Sequence, residues 1–489
     1  MLRSGRVRDC LAILAGLAVT FSLAPFDAWP LAFVGPAMLY LAVESATTGR
    51  ALTRFYLFNV AMFGSGVSWI YVSIHVYGGA SVVLAGLLVV LFVLAYSLIC
   101  LPLAWVYARY LRAAVMASVL GFAGLWVLQE WLRSWFLTGF PWLFSGYGLM
   151  ESPLAGLAPF TGVFGLSLVA CLAGVSVLAC VRARRWPWLV LPAGVLLLSL
   201  AAGFKDMTRL DRAITVSLLQ GNVDQHLKWL PSSRMPILNH YRSATSDELG
   251  RDLIVWPEAA LTVFRQSAAT VLRDLDAQAA EAGSTLVLGI PDRNAAGGFQ
   301  NTVVALGQGE GQYIKRRLVP FGEYVPLEGL IRGVIQFFDL PMSRNRPGPS
   351  VQAPLTAGAL SLSTSICYEV VYPDLVRETV ADPDLLVTVS NDTWFGESIG
   401  PWQHLQMARM RALENGRAMA RATNNGITAL IDHRGRIVST LPRFRQGTLR
   451  GELEVRSGHT PFHRFGSYPV LALSCLFIGL AFLLLKKRA

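Results

Sequence analysis

Three side chains in this sequence could share one chemistry: Glu258, Lys315 and Cys367. Each follows a short apolar run. Glu258 is the first carboxylate after Leu253-Ile254-Val255-Trp256-Pro257, Lys315 lies in QYIKRRLVPFGEY (312–324), and Cys367 ends the run 360–366. A thiol attacks a carbonyl only as thiolate, which requires a nearby base or cation. Glu258 is placed to take the proton, and Lys315 to stabilise the thiolate and the oxyanion that forms on the attacked carbonyl. Together they supply the parts of nucleophilic acyl chemistry. His433, just past another β-type run, offers a competing Cys–His arrangement, and spacing alone does not separate the two.

Cysteine usage singles out the same position. Cys10, Cys100, Cys171, Cys180 and Cys475 fall in or beside long apolar runs, where cysteine behaves as a small hydrophobe. Cys367 is the one thiol in the polar part of the chain and has no second thiol there for a disulfide. It is either buried and inert or kept for chemistry.

These residues must be positioned by a chain of two characters. At 489 residues, 53% hydrophobic and only 15% charged, the sequence is too apolar for a wholly soluble protein. Runs long enough to cross a bilayer, which takes roughly 20 residues as helix, occur at about 10–25, 29–46, 55–74, 80–107, 113–134, 159–181, 187–203 and 468–485. The first two, split by Pro25-Phe26-Asp27, also admit a reading as signal peptide and anchor, but no small-residue cleavage site precedes Pro25. Arg3, Arg6, Arg8, Arg50, Arg54, Arg109, Arg112, Arg182, Arg184, Arg185, Lys486, Lys487 and Arg488 fall on alternate connections. Among the short loops on the other side only Arg133 is basic. Both termini are therefore expected in the cytoplasm, with the polar region 204–467 outside. The same bias accounts for much of the +11 net charge and argues against nucleic-acid binding.

Within 204–467 the pattern changes to short β-type runs alternating with helical stretches. Strands are expected at 214–220, 253–256, 285–289, 301–306, 360–366, 385–390, 428–431 and 437–440. Helices are expected at 236–249, 267–282, 372–380 and 404–415. Such alternation predicts a layered α/β domain whose strands are buried on both faces, with a site at their ends.

A carboxylate in WPE, a lysine in Y-x-K-x-x-L-V-P-F-G-E-Y and a cysteine in I-C-Y-E, in that order, resemble the Glu-Lys-Cys triad of the nitrilase (carbon–nitrogen hydrolase) superfamily. With seven helices before the domain and one after it, the whole chain resembles the apolipoprotein N-acyltransferase family. The likeness extends to Gly139-Phe140-Pro141-Trp142, Gln220-Gly221-Asn222, SNDTWFG (390–396) and RATNNG (421–426). It implies a multi-span α-helical membrane protein of about eight transmembrane helices. Residues 1–203 would form seven of them and 468–489 the last, with an extracytoplasmic αββα domain at 204–467. It also implies that Cys367 is the nucleophile, Glu258 the base and Lys315 the stabiliser, with Glu323, Tyr368 and Glu369 in support. Trp229 matches a tryptophan that follows the QGN element in the family.

The implied reaction is ping-pong. The thiolate takes an acyl chain from a membrane phospholipid, leaving a lysophospholipid. The α-amine of an apolipoprotein's diacylglyceryl-cysteine then attacks the thioester. The implied setting is the bacterial inner membrane, with the catalytic domain periplasmic and the protein a monomer. Phe338, in 336–342, and Trp394, in 394–400, are expected on lids that meet lipid and limit water. Glu130 is expected to pair with Arg133 inside the membrane. No cofactor or metal is expected: His459-Thr460-Pro461-Phe462-His463 has a proline that opposes the helix needed to put both imidazoles on one face, and 307–311 lacks the features of a phosphate loop. Two other readings share these residues: a membrane-tethered amidase that uses water as second nucleophile, and a non-catalytic lipid- or lipoprotein-binding transporter.

Overall fold

The computed structural model describes residues 5–183, 186–203, 205–294, 297–325 and 345–486. The chain divides into two compact units, one made of Met1–Tyr71, Ser81–Asp206 and Pro461–Ala489, the other of Val72–Ala80 and Met207–Thr460.

Apolar helices build the first unit. Among the described residues four are long and apolar enough to cross a membrane: Val82–Tyr110, Val115–Thr138, Pro153–Arg182 and Tyr468–Lys486. The bent pair Thr48–Gly66 and Trp69–Tyr77 makes a fifth if it is one span. Other expected spans are shorter here. Gly5–Phe21 has 17 residues and Leu31–Val43 has 13, a rise of only about 20 Å. The run expected over 187–203 contains the short apolar helix Pro192–Ala201.

Small residues let these helices approach closely, since lipid offers no hydrophobic force to press them together. A Cβ on Gly124 would lie 2.6 Å from the carbonyl of Ser474 on the C-terminal helix. Buried polar groups inside the unit bond to one another. Glu130 Oε1 accepts from the Ser145 amide at 2.8 Å and hydroxyl at 2.9 Å, and lies 4.0 Å from Arg133, with both side chains buried. At another end Asp9 receives Arg50 at 2.8 Å and Arg54 at 2.9 Å.

The second unit holds two six-stranded sheets. The first, ordered β12-β1-β2-β3-β4-β5, comprises β1 (Arg209–Gln220), β2 (Leu253–Val255), β3 (Thr285–Arg293), β4 (Phe299–Gly307), β5 (Gln312–Ile314) and β12 (Gly447–Ser457). The second, ordered β11-β10-β9-β8-β7-β6, comprises β6 (Leu355–Ala357), β7 (Leu360–Ile366), β8 (Leu385–Ser390), β9 (Met419–Thr423), β10 (Ala429–Ile431) and β11 (Ile437–Thr440). Central strands run parallel: β1 with β2, β2 with β3, β7 with β8, and β8 with β9.

Alternate residues of the central strands point to opposite faces, and both faces are buried, which explains the all-apolar Leu253-Ile254-Val255 of β2. Leu253 and Val255 join Val216, Leu218 and Val287 in a core shared with Leu362, Ile366, Val387 and Ala420 of the facing sheet. Ile254 and Trp256 point the other way, onto helices α1 (Arg234–Ser246) and α2 (Ala269–Glu281), through Ile237, Tyr241, Leu272 and Leu275. Helices α3 (Pro373–Thr379) and α4 (Gly400–Asn415) accompany the second sheet. The unit is thus a helix–sheet–sheet–helix sandwich, and burial of both strand faces stabilises it through area removed from water.

Candidate active site

The site gathers at the ends of β2, β5, β7 and β8. Past β2, Pro257 has no N–H to extend the ladder, and the chain turns at Glu258 and at Ala259, which adopts φ 46°. The turn passes so close to β3 that a Cβ on Gly289 would stand 2.5 Å from the Pro257 carbonyl and 2.8 Å from Glu258 Cα. Only glycine fits there.

Lys315 follows β5. Its amide donates to the Asn301 carbonyl at 2.9 Å, and its side chain, 1% exposed, reaches two carboxylates. Nζ donates to Glu323 Oε1 at 2.8 Å and to Glu258 Oε1 at 3.3 Å. Burial alone would lower the Lys315 pKa, but Glu258, Glu323 and the nearby Cys367 thiol overcome it and hold the ammonium well above its ordinary range. Glu323 is fixed in turn by the Val319 amide, 2.8 Å from Oε2.

Both oxygens of Glu258 are held. Oε1 also accepts from Asn301 Nδ2 at 2.5 Å, and Oε2 accepts from the Asn391 amide, just past β8, at 2.9 Å. A second lysine, Lys228, is buried nearby and donates to the Glu258 carbonyl at 3.3 Å. Burial lowers its pKa to about 8, against the opposing pull of Glu258.

Cys367 begins a tight helical turn after β7 and has φ 53°, a left-handed conformation costly for any side chain. Burial pushes its thiol pKa up, Glu258 adds to this, and Lys315 opposes; the hydroxyl of Ser390 also bonds to the thiol. Burial thus works against a standing thiolate, and a base that takes the proton would favour attack.

Glu369 ties the lysine segment to the cysteine turn. Oε1 accepts from the amides of Arg316 at 2.6 Å and Arg317 at 3.1 Å and from the Tyr313 hydroxyl at 3.0 Å; Oε2 accepts from the Ile366 amide at 2.9 Å. Burial raises its pKa, while those amides resist the rise. Tyr368 is buried edge-on against Tyr372, with ring centroids 5.4 Å apart.

The structure therefore brings Glu258, Lys315 and Glu323 into direct contact, sets Cys367 in their field, and holds Glu369 behind both. It does not bring His433 to the thiol: His433 pairs with Glu454 at 3.0 Å. The imidazole near Cys367 is His404, whose Nε2 lies 3.2 Å from the Cys367 carbonyl oxygen. Trp229, half-buried, carries an indole N–H with no partner among the described residues. Trp394 is half-buried, with Tyr77 edge-on at 5.9 Å, and its carbonyl accepts from Ser73 at 2.8 Å. Phe338 and the segment 336–342 lie outside the described residues.

Sequence reasoning missed Asn301, Asn391, Lys228, Asp392, His404 and Arg421. The SNDTWFG and RATNNG segments were a usable signal, because polar clusters past apolar strands mark the same edge of the sandwich. The Asn222 amide donates to the Asn424 carbonyl at 2.7 Å, so the QGN and TNN elements meet there.

Residues 15–176 match the family model of the apolipoprotein N-acyltransferase N-terminal domain, and residues 215–459 match that of carbon–nitrogen hydrolase. The chain is similar to the apolipoprotein N-acyltransferase of Pseudomonas syringae pv. tomato, at 48% identity over 98% of this chain and 97% of that one. It is similar to that of Azotobacter vinelandii at 45% identity over 100% and 96%. Among solved structures, carbon–nitrogen hydrolase from Helicobacter pylori aligns at TM-score 0.37 and 14% identity, over 50% of this chain and 89% of that one. By full-length identity and by both family models, this chain belongs to the apolipoprotein N-acyltransferase family.

Proposed function

We propose that this enzyme transfers an acyl chain from a membrane phospholipid, through a thioester on Cys367, to the α-amine of the diacylglyceryl-cysteine of apolipoproteins. The observation that carries the reading is the buried ion pair of Lys315 and Glu258 beside Cys367, in a chain that is a full-length relative of apolipoprotein N-acyltransferases.

In the first half-reaction Glu258 takes the thiol proton as sulfur attacks the ester carbonyl. The oxyanion forms against the Lys315 ammonium, which burial makes a strong partner. Collapse breaks the ester C–O bond, and the leaving lysophospholipid oxygen takes the proton back from Glu258. In the second half the free α-amine attacks the thioester, the C–S bond breaks, and the amine proton passes by way of Glu258 to the departing sulfur. The cycle returns the thiol and leaves an amide. Glu323 keeps Lys315 charged and aimed, and Glu369 holds the cysteine turn against the lysine segment.

Both substrates keep chains in a bilayer, which is why the apolar unit matters to the chemistry. In this reading 1–203 and 468–489 form the membrane region, with eight spans and cytoplasmic termini. Residues 204–467 work on the periplasmic side of the inner membrane, and the protein acts as a monomer. Trp229, Phe338 and Trp394 meet the lipid chains. The apolar helices and the Lys and Arg bias of the sequence support this placement.

The test is intact-mass analysis after incubation with phospholipid alone, wild type beside Cys367→Ala. A gain of one acyl chain, labile to neutral hydroxylamine and absent from the variant, supports the reading. No adduct, together with hydrolysis of a small amide, transfers the assignment to a tethered amidase.

A further inference from the structure

Helix α4 carries an unusual load. Gln403, His404, Gln406, Arg411, Glu414 and Asn415 are all buried on it. Polar groups withdrawn from water must find partners, and those of His404 lead to the nucleophile. Its Nδ1 lies 3.0 Å from Asp392 Oδ1 and 3.1 Å from Arg421 Nη2, and its Nε2 lies 3.2 Å from the carbonyl oxygen of Cys367. Asp392 is anchored from two further sides, by Arg421 Nη2 at 2.7 Å on Oδ2 and by the Ser390 hydroxyl at 2.5 Å on Oδ1. All three members of this chain are almost wholly buried.

A carbonyl oxygen only accepts, so the proton between His404 and Cys367 belongs to Nε2, and Asp392 with Arg421 orients the ring to present it. The peptide unit is planar and trans, so holding the Cys367 oxygen also fixes the direction of the Tyr368 N–H on the opposite side of the same plane. That amide follows the nucleophile at a strained turn, the place from which a backbone donor can meet an oxyanion.

We propose that His404 is a positioning residue: its Nε2–H holds the strained Cys367–Tyr368 peptide so that the thiol and the Tyr368 amide meet one substrate carbonyl together. The proposal rests on Cys367 being the nucleophile, but not on the acyl donor being a lipid. Arg421 acts through Asp392 and His404, whereas Asp392 also shares the Ser390 hydroxyl with the thiol, so His404 is the member tested.

The test uses full-length protein in detergent, comparing wild type, His404→Leu and His404→Gln with two electrophiles. The acyl-enzyme burst with p-nitrophenyl butanoate needs an oxyanion site; alkylation of Cys367 by iodoacetamide, followed by peptide mass, needs only the thiol. His404→Leu is expected to slow the burst on the order of 10- to 100-fold, as for a misplaced oxyanion donor, while alkylation changes little. His404→Gln retains an N–H donor of similar reach and is expected to recover the burst to within about tenfold of wild type. The proposal is overturned if His404→Leu keeps the wild-type burst, if burst and alkylation fall together, or if Gln is as impaired as Leu. If the expected order holds with the activated ester while wild type takes no acyl chain from phospholipid, the lipid reading fails and the positioning role stands.

Discussion

Lys228 is buried beside Glu258, whose backbone carbonyl is its hydrogen-bond partner, and its amine is disfavoured in the charged form. The fall from an ordinary 10.5 to about 8 corresponds to about 3 kcal/mol, at about 1.4 kcal/mol for each tenfold change. Lys228→Met keeps the apolar stem and removes the charge, at the cost of one hydrogen bond of about 1 kcal/mol to the Glu258 carbonyl. The variant should therefore be more stable by about 2 kcal/mol at neutral pH, which for a domain of this size raises the melting temperature by about 4–8 °C. The sign with pH follows from the lowered pKa. Below pH 8 both folded and unfolded wild type carry the charge, and the full penalty is present. Between about 8 and 10.5 the unfolded chain binds more protons, so wild type gains stability as pH rises and the advantage of Lys228→Met shrinks. Melting of both proteins in detergent between pH 6.5 and 10 measures this. A variant less stable than wild type at pH 7, or a difference that does not change with pH, would refute the reasoning and mean that the ammonium is fully compensated. Acyl transfer should fall even as stability rises, because the Glu258 turn loses its tether.

Three further outcomes follow from the same contacts. Glu369→Gln keeps the shape but cannot accept from all four donors, so one bond is lost at about 1–3 kcal/mol; kcat should drop with little change in KM, read from steady-state transfer. Asn301→Asp sets a second carboxylate beside Glu258 in place of the 2.5 Å amide donor, so that hydrogen bond is replaced by like-charge repulsion; kcat/KM should fall by on the order of tenfold or more, read from steady-state transfer. Gly289→Val forces a side chain into the Pro257 carbonyl and should abolish acyl-enzyme formation while leaving the chain in the membrane fraction.

Much of the sandwich was legible because its central strands are buried on both faces. The expected strands at 360–366 and 385–390 match β7 and β8 residue for residue, since Leu360, Leu362, Thr364 and Ile366 alternate with serines at a period of two and 385–390 is a short, nearly continuous β-type run. Strand β9 was not read: Arg421 sits in its middle, and its burial depends on tertiary partners, Asp392, His404 and the Ile427 carbonyl. Strand β12 was missed because it alternates with exposed charges. Helix α4 begins at Gly400 rather than 404, since Pro401 suits a first turn. Candidate site residues at strand ends could be picked out from type and order. Their supports, Asn301, Asn391 and His404, could not, because what each side chain bonds to is decided by which strand ends meet.

The most direct test of the central claim is a single-turnover chase. Acyl-enzyme made with phospholipid is freed of excess lipid and given a diacylglyceryl-cysteine lipopeptide, and the protein and both products are followed by mass. If Cys367 carries the acyl chain to the amine, the thioester mass decays as N-acyl lipopeptide appears in equal amount, faster than the thioester decays in buffer. Release of free fatty acid with the lipopeptide unmodified would contradict the account and leave a hydrolase.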